Sequence, residues 1–346
     1  MRATRTDNGQ HVALCQLTPA DLSAGDVLVR VEYSSLNYKD ALAVTGRAPI
    51  IRRYPLVPGI DLAGEVVQSD SPRFITGQRV LATGFGIGET HDGGFAQYAR
   101  IPSDWLVPLP DIPTPGPHGN PFTTADAMKL GTAGLTAMLC VMALESQRPD
   151  TTSGELLVTG ATGGVGSVAV MLAAAAGWRV TACSRRPEKA EILKSWGAEK
   201  IVDQRDLASG GKPLQSAHWS AAIDVAGGTT LANILAQLQP GGIAVACGLA
   251  DDMNLPTTMA PFILRGVRLI GVESVFTPMT KRLAAWRRLA QTADLAKLNA
   301  AVREISIHEI PSEAAAMLDG NRTGRALVKI LHSFHKIPDA RQLLLQ

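Results

Sequence analysis

The sequence has few cysteines, little excess of either charge and no long hydrophobic run. Its four cysteines stand at positions 15, 140, 183 and 247, and no two of them form a Cys-x-x-Cys pair. This spacing excludes a disulfide framework and a cysteine-based metal cluster, and it is typical of separate thiols in a reducing compartment. The formal net charge is +2, with no long run of Lys or Arg. Nucleic acid is therefore not expected as a partner.

The N-terminus and the apolar runs predict neither a signal peptide nor a membrane span. Residues 1–17 have no apolar core of the signal-peptide kind. The most apolar run, VAVMLAAAAGW, is well short of the roughly 20 residues that a membrane-spanning helix needs. With 46% hydrophobic and 18% charged residues, the composition is globular, and 346 residues are enough for two domains. We expect a soluble, cytoplasmic protein without a membrane partner.

Two parts of the chain differ in pattern. Residues 1–125 carry short β-branched runs broken often by Gly and Pro, which predicts a β-rich domain. The Pro- and Gly-rich segment 107–122 is interpreted as the linker out of it. Residues 126–274 contain six short apolar runs with room for helices between them, which predicts an α/β fold with a doubly wound parallel sheet of six strands. The runs are 155–160, 178–185, 199–204, 221–227, 242–248 and 267–274. A later strand-like run, 325–331, cannot be placed by pattern alone.

A glycine turn follows the first of these runs. Gly160, Gly163, Gly164 and Gly166 separate the strand ELLVT from an Ala-rich helix. Phosphate oxygens approach backbone N–H groups at such a helix start, and a β-carbon in the turn would block them. Gly166 would let the helix lie close to the strand. We therefore predict a dinucleotide site whose turn also includes Thr162 and Val165.

The second strand indicates which dinucleotide binds. An NAD site usually has Asp or Glu at the end of this strand, where it holds the ribose 2′-hydroxyl. This sequence instead has Ser184, Arg185 and Arg186. One hydroxyl and two guanidinium groups would bind a 2′-phosphate by charge-assisted hydrogen bonds. The alternative is a solvated turn with two ordinary arginines, but the position favours NADPH as cofactor.

Six segments together resemble the medium-chain dehydrogenase/reductase superfamily: SSLNYKDALAVTG, PLVPGIDLAGEV, GTAGLTAMLCVMALE, VTGATGGVG, CGLA and LPTTMAPFILRGVRLIGVES. Among these, LNYKDALA and PTTMAPFILR are similar to the zinc-free, quinone oxidoreductase-like branch that contains the bacterial acryloyl-CoA reductases, the YhdH/AcuI group. The resemblance runs from about residue 2 to residue 331 and leaves the tail 332–346 outside.

The resemblance implies a two-domain architecture with the active site in the cleft between the domains. A GroES-like β-barrel substrate domain would comprise residues 1–125 and be completed by 275–346. A Rossmann NADPH-binding domain would comprise 126–274. The resemblance also implies a homodimer formed by edge strands, with 267–274 as the candidate edge.

No metal site is expected. The segment LNYKD stands where the zinc alcohol dehydrogenases have a ligand Cys, and PGIDLAG lacks their ligand His. None of the seven histidines is paired at ligand spacing. Without a metal, the cleft must reduce a group that NADPH attacks directly. A C=C bond conjugated to a carbonyl fits: hydride adds to the β-carbon, and donors stabilise the enolate before a proton is added at the α-carbon.

The segment LNYKD offers the candidate catalytic residues Asn37, Tyr38 and Asp40. Asn37 would donate to the enolate or position the nicotinamide, and Tyr38 would donate a proton or contact the cofactor. Asp40 would orient its neighbours. The alternative is a polar turn in which Asn37 and Asp40 cap a short helix.

A basic loop follows, with Arg47, Arg52 and Arg53 as candidate substrate-binding residues. Arginines at a cleft mouth would suit the phosphates of a CoA thioester, and solvated surface charge is the alternative. Further cofactor contacts are expected where strands end or by the resemblance. They are Thr132, Thr136, Cys247, Gly248, Leu249, Ser274 and Arg325.

The most specific hypothesis from the sequence is therefore NADPH-dependent reduction of a short α,β-unsaturated acyl-CoA, acryloyl-CoA in particular. An NADPH:quinone oxidoreductase is the first alternative because it would use the same cleft. A protein that binds NADPH without catalysis, as a redox sensor, is the second.

Overall fold

The computed structural model describes residues 1–7, 9–109, 121–147 and 154–331. The tail 332–346 and most of the predicted linker 107–122 lie outside the described residues. The strands are β1 (Arg2–Thr6), β2 (Gly9–Ala13), β3 (Val27–Leu36), β4 (Asp61–Ser69), β5 (Arg79–Thr83), β6 (Tyr98–Ile101), β7 (Val107–Pro108), β8 (Glu155–Val158), β9 (Arg179–Ser184), β10 (Ala198–Asp203), β11 (Trp219–Asp224), β12 (Leu238–Ala246), β13 (Arg268–Gly271), β14 (Val302–Ser306) and β15 (Arg325–Lys329). The helices are α1 (Tyr38–Thr45), α2 (Thr124–Gln147), α3 (Gly164–Ala175), α4 (Ala190–Ser195), α5 (Gly228–Gln237), α6 (Ala260–Arg265), α7 (Met279–Thr292), α8 (Leu295–Ala300) and α9 (Ile310–Leu318).

The six predicted strands of the nucleotide-binding region form one parallel sheet in the order β10-β9-β8-β11-β12-β13. The central strands are largely apolar because both faces of the sheet are covered there: every residue of β11 is buried, whereas Glu199 and Lys200 of the edge strand β10 are exposed. This order reverses between β8 and β11, which is where doubly wound sheets bind ligands. The α/β prediction with six parallel strands is confirmed.

The second sheet combines the two ends of the chain. Its order is β14-β15-β3-β4-β5-β7, with β6 also paired to β3. The predicted late strand becomes β15, which runs antiparallel to β3. Alternate residues of β3 (Val27, Val29 and Val31) are fully buried in the core of this sheet. The strand that the sequence pattern could not place therefore lies beside the first long strand of the chain.

Helix α2 links the two sheets, because it packs on α3 of the nucleotide-binding region and on β3, β4 and β15 of the barrel. It is long and apolar enough to cross a membrane by length and composition, but 83% of its most apolar window is buried inside the protein, as in a core helix. The helix is interrupted at Gly131, where φ is 53° and ψ is −153°. At this interruption, backbone groups of the helix bind Asp61 and Arg325.

Candidate active site

The break in α2 leaves two backbone groups without helical partners, and two charged side chains bind them. Arg325 Nε donates to the carbonyl oxygen of Lys129 at 3.0 Å, and the Thr132 N–H donates to Asp61 Oδ2 at 2.8 Å. A β-carbon at Gly131 would lie 2.4 Å from Asp61 Oδ2 and 2.9 Å from Arg325 Nη2. Only glycine fits here, because of the positive φ and because of this close approach.

Asp61 is fully buried at the start of β4 and accepts hydrogen bonds from three further donors. Ser35 Oγ donates at 2.5 Å, Asn37 Nδ2 donates at 2.8 Å, and the Thr132 hydroxyl also donates. A carboxylate in a dry interior is costly unless it is hydrogen-bonded and near an opposite charge. The four donors, together with the Arg325 guanidinium nearby, meet this requirement.

Asn37 is held in one orientation by groups on both sides of its amide. Its Nδ2 faces Asp61 and also Asp40, and its Oδ1 accepts from Arg325 Nη1 at 3.0 Å. Asn37 is also the N-cap of α1, and its backbone N–H donates to Asp40 Oδ2 at 2.9 Å. The capping interpretation and the functional one are therefore compatible. Since both donor positions face carboxylates, the geometry favours positioning over donation to a substrate oxygen.

Asp40 is fully buried beneath this network. It accepts from the Ile60 N–H at 2.9 Å as well as from Asn37. Burial, and then the nearby charge of Asp61, raise the pKa of Asp40 to about 7. Burial lowers the pKa of Arg325, while the charges of Asp61 and Asp40 oppose that change. One guanidinium thus lies beside two carboxyl groups, one of which exchanges a proton near neutral pH.

The remaining predicted site residues lie around this network in different surroundings. Tyr38 begins α1 and its side chain is 50% exposed. Thr136 Oγ1 donates to the Thr132 carbonyl oxygen and to Ser274 Oγ, which lies beyond the end of β13. Cys247 Sγ lies 3.5 Å from the Asp224 carbonyl oxygen, consistent with a packed thiol. Gly248 follows Cys247, and Leu249 is largely exposed.

The glycine turn has the shape that a dinucleotide requires. A β-carbon at Gly166 would lie 2.2 Å from the Gly160 carbonyl oxygen, so α3 starts against the strand-end turn. A β-carbon at Gly164 would lie 3.1 Å from Arg325 Nη1, which places the guanidinium against the start of α3. Arg325 Nη2 is buried with no hydrogen-bond partner among the described residues. Because buried donors are almost always paired, this atom fits a site completed by an anionic ligand such as the cofactor phosphates.

The three residues at the end of β9 differ in exposure. Ser184 is buried, and its Oγ accepts from the Arg186 N–H at 3.0 Å and lies 3.3 Å from Thr162 Oγ1. Arg185 is exposed and Arg186 is half-buried. The serine hydroxyl therefore lies next to the glycine turn, as a ribose-binding group must.

The basic loop is not gathered into this network. Arg47 follows the end of α1 opposite to Asn37, about 12 Å along the helix, and pairs with Asp319 at 2.9 Å. Arg53 contacts Ser23 Oγ and lies 3.3 Å from Asp92 Oδ2. Arg52 is exposed. Arg47 and Arg53 thus bind other side chains of the protein, whereas Arg52 takes part in none of the contacts named here.

Sequence reasoning missed Ser35 and Asp61, although the Asp61 carboxylate accepts four hydrogen bonds of the network. A signal was present: the apolar strand sequence GIDLAGEVV carries two acidic residues, Asp61 and Glu65, and Asp61 stands between two large apolar residues, Ile60 and Leu62. Charged residues are almost never fully buried unless they are paired. An Asp in such a strand therefore indicates a buried partner elsewhere in the chain.

Two protein families match the chain. Residues 23–111 match the alcohol dehydrogenase GroES-like domain family, and residues 164–290 match the zinc-binding dehydrogenase family. Within the described residues, no group of three or more His, Cys, Asp or Glu side chains is arranged to hold a metal ion.

Several relatives are similar along their full length. The chain is 48% identical over 324 residues to the probable acrylyl-CoA reductase AcuI of Escherichia coli K12, covering 93% of this chain and 97% of the relative. It is 40% identical over 332 residues to the putative quinone oxidoreductase YhfP of Bacillus subtilis, covering 95% and 98%. The crystal structure of the YhdH oxidoreductase of Salmonella enterica in complex with NADP has a TM-score of 0.90 at 46% identity, covering 96% of this chain and 100% of that one. The similarity to each of these proteins therefore includes both sheets of the structure.

Proposed function

Because this chain belongs to the medium-chain dehydrogenase/reductase family, in the branch of the bacterial acrylyl-CoA reductases, we propose that it reduces acrylyl-CoA to propionyl-CoA with NADPH. The observation that carries the proposal is the buried network of Asn37, Asp61 and Arg325 at the junction of the barrel with the glycine turn. The relatives named acrylyl-CoA reductases, at 48% and 44% identity over most of the chain, supply the substrate.

The residues that would hold NADPH come from both regions of the chain. The turn from Thr162 to Gly166 would bind the phosphates together with Arg325, whose buried Nη2 has no hydrogen-bond partner among the described residues. Ser184, Arg185 and Arg186 would bind the 2′-phosphate. Thr136, Ser274 and the residues from Cys247 to Leu249 would border the nicotinamide. When bound, NADPH supplies a hydride for the β-carbon of the thioester, and the α-carbon takes a proton.

The chain's own residues then have distinct roles. The nearby charge of Asp61 favours the charged form of the Arg325 guanidinium, and Asn37 bridges the two side chains by hydrogen bonds. Asp40 stabilises the Asn37 backbone, and it accommodates a change in local charge because its pKa is about 7. Tyr38 is the candidate proton donor, because its side chain begins α1 beside Asn37 and is half-exposed.

We also propose that the protein is a homodimer and that it is cytoplasmic. A homodimer built on β13 is supported by its position at the edge of the parallel sheet. It is also supported by Met259, Ile263 and Leu264, which are on or beside the neighbouring helix α6 and are each more than 60% exposed. Together these form an edge and an apolar surface of the kind that a partner subunit covers. A cytoplasmic location agrees with four free cysteines.

The test is NADPH oxidation with acrylyl-CoA, crotonyl-CoA and a benzoquinone, each repeated with NADH. Rapid turnover of the short acyl-CoA with NADPH, and slow turnover with NADH, is the expected result. Turnover of the quinone alone would replace the proposal with the quinone oxidoreductase activity named for the Bacillus relative. Binding of NADPH without turnover of any of the three would leave the redox sensor as the remaining hypothesis.

A further inference from the structure

The guanidinium of Arg186 crosses from the nucleotide-binding region to the last loop before β15. Its Nη1 donates to Thr323 Oγ1 at 2.8 Å, and its Nη2 donates to the Arg322 carbonyl oxygen at 2.5 Å. Its backbone N–H donates to Ser184 Oγ. A side chain at the predicted 2′-phosphate site is thus held by two acceptors that are more than 130 positions away in the sequence.

The loop that holds Arg186 is itself fixed. The Gly324 N–H donates to the Thr162 carbonyl oxygen at 2.9 Å, so the loop is bound to the glycine turn. Arg322 Nε donates to Glu313 Oε1 at 2.6 Å, and the buried Glu313 also pairs with Arg303. The charge of Arg322 is therefore compensated within its own region. Arg186 therefore contacts the backbone carbonyl oxygen of Arg322 and not its side chain.

Arg186 forms no ion pair with any residue that the structure describes. No carboxylate within the described ranges lies at ion-pair distance from its guanidinium, and its two acceptors, the Thr323 hydroxyl and the Arg322 carbonyl, are neutral. Burial lowers the pKa of Arg186, the Glu188 charge opposes that change, and the neighbouring Arg185 charge adds to it. A half-buried cation held only by neutral acceptors beside a second cation is stabilised when an anion binds.

We propose that Thr323 determines cofactor specificity by positioning Arg186 for the 2′-phosphate of NADPH. This inference rests on the proposed function, because it assumes NADPH as cofactor. Thr323 does not have to touch the cofactor. It fixes the direction of a guanidinium whose remaining N–H groups have no acceptor among the described residues and would bind the phosphate. Discrimination between NADPH and NADH is then shared between the end of β9 and the loop before β15.

The test compares Thr323→Val with Thr323→Ser, using the KM for NADPH and for NADH with acrylyl-CoA. Valine keeps the shape and removes the acceptor, so KM for NADPH rises about tenfold, the scale of one hydrogen bond to a charged group. KM for NADH stays within twofold of the wild type, and serine restores the wild-type preference. In an Arg186→Ala background, Thr323→Val has no further effect on KM for NADPH, because the two residues act as one unit.

Two different results would overturn the proposal: one concerns only the role of Thr323, and the other concerns NADPH as the cofactor. A Thr323→Val variant that raises KM equally for NADPH and NADH, or leaves both unchanged, overturns the role of Thr323 while NADPH remains the cofactor. A wild type that binds adenosine 2′-phosphate no more tightly than AMP overturns the NADPH assignment itself. Calorimetry with these two nucleotides measures that binding without any turnover.

Discussion

The two halves of the site are constructed in different ways. In the nucleotide-binding half, the important residues are consecutive: the turn 160–166 follows one strand and Ser184 to Arg186 end the next. In the barrel half, Asn37, Asp61 and Arg325 come from three elements, and the Asn37–Arg325 hydrogen bond joins residues 288 positions apart. The first half therefore depends on local backbone geometry. The second exists only when both ends of the chain have folded together.

The largest effect on stability and activity is expected from replacing Asp61, in the network that joins distant parts of the chain. Asp61→Asn replaces an acceptor with an amide whose N–H groups face donors, and it removes one of the two carboxyl groups beside the Arg325 charge. Removing one partner of a buried ionic network costs about 3–5 kcal/mol, and we expect kcat/KM for acrylyl-CoA to fall at least about a hundredfold. Denaturant unfolding and steady-state kinetics measure the two effects.

Glu65→Gln is the matched control for Asp61→Asn, because Glu65 lies on the same strand β4 but is partly exposed and pairs with Arg30. Such a pair contributes at most about 1 kcal/mol. Equal losses of activity in the Glu65 and Asp61 variants would remove the special role of the buried network.

The same contrast explains which features the sequence could predict. The six strands and the glycine turn follow from patterns within a few positions, and so does the prediction that Ser184 to Arg186 bind the 2′-phosphate. Asn37 is identified through a family motif. Asp61 is not, because its importance depends on donors from β3 and α2. Nor does any local pattern show that a break at Gly131 frees the groups that Asp61 and Arg325 bind.

Smaller effects are expected from replacing Gly166 and Gly163 in the glycine turn. The first replacement should lower stability, and the second should weaken NADPH binding. Gly166→Ala puts a β-carbon 2.2 Å from the Gly160 carbonyl oxygen, so the backbone must shift and the unfolding free energy falls by about 1–3 kcal/mol. Gly163→Ala meets no atom closer than 3.2 Å, and its φ of −86° suits alanine. The fold should therefore tolerate it, while the Kd of NADPH rises about tenfold because the methyl group enters the phosphate turn. Unaltered NADPH binding by Gly163→Ala would argue against this location for the phosphates.

A pH effect tests the buried carboxyl group of the barrel half. The pKa of Asp40 is about 7 in the folded protein, against an ordinary 3.8, so the folded state keeps a proton that the unfolded state loses between these values. Stability is therefore greatest below about pH 4 for this group and declines as the pH rises to about 7. In Asp40→Asn this titration is absent, and the difference in unfolding free energy between about pH 5 and about pH 8 should shrink. An unchanged difference would show that another group titrates.

The smallest effect is expected at the basic loop. Replacing Arg52 and Arg53 with Ala should raise KM for acrylyl-CoA several-fold and spare small uncharged enones, because exposed charges act through screened, long-range attraction. The increase should diminish at high salt. Arg47→Ala is the control, since Arg47 pairs with Asp319 beyond the far end of α1. Equal effects on both kinds of substrate would remove the CoA-binding role.

The most direct test of the central claim follows the transferred hydride. The enzyme is supplied with acrylyl-CoA and NADPH that carries deuterium at the transferable position of the nicotinamide, and the propionyl-CoA is examined by NMR. We predict one deuterium at the β-carbon and solvent hydrogen at the α-carbon. Deuterium at the α-carbon, or consumption of NADPH without labelled propionyl-CoA, would contradict the proposed reduction of the C=C bond.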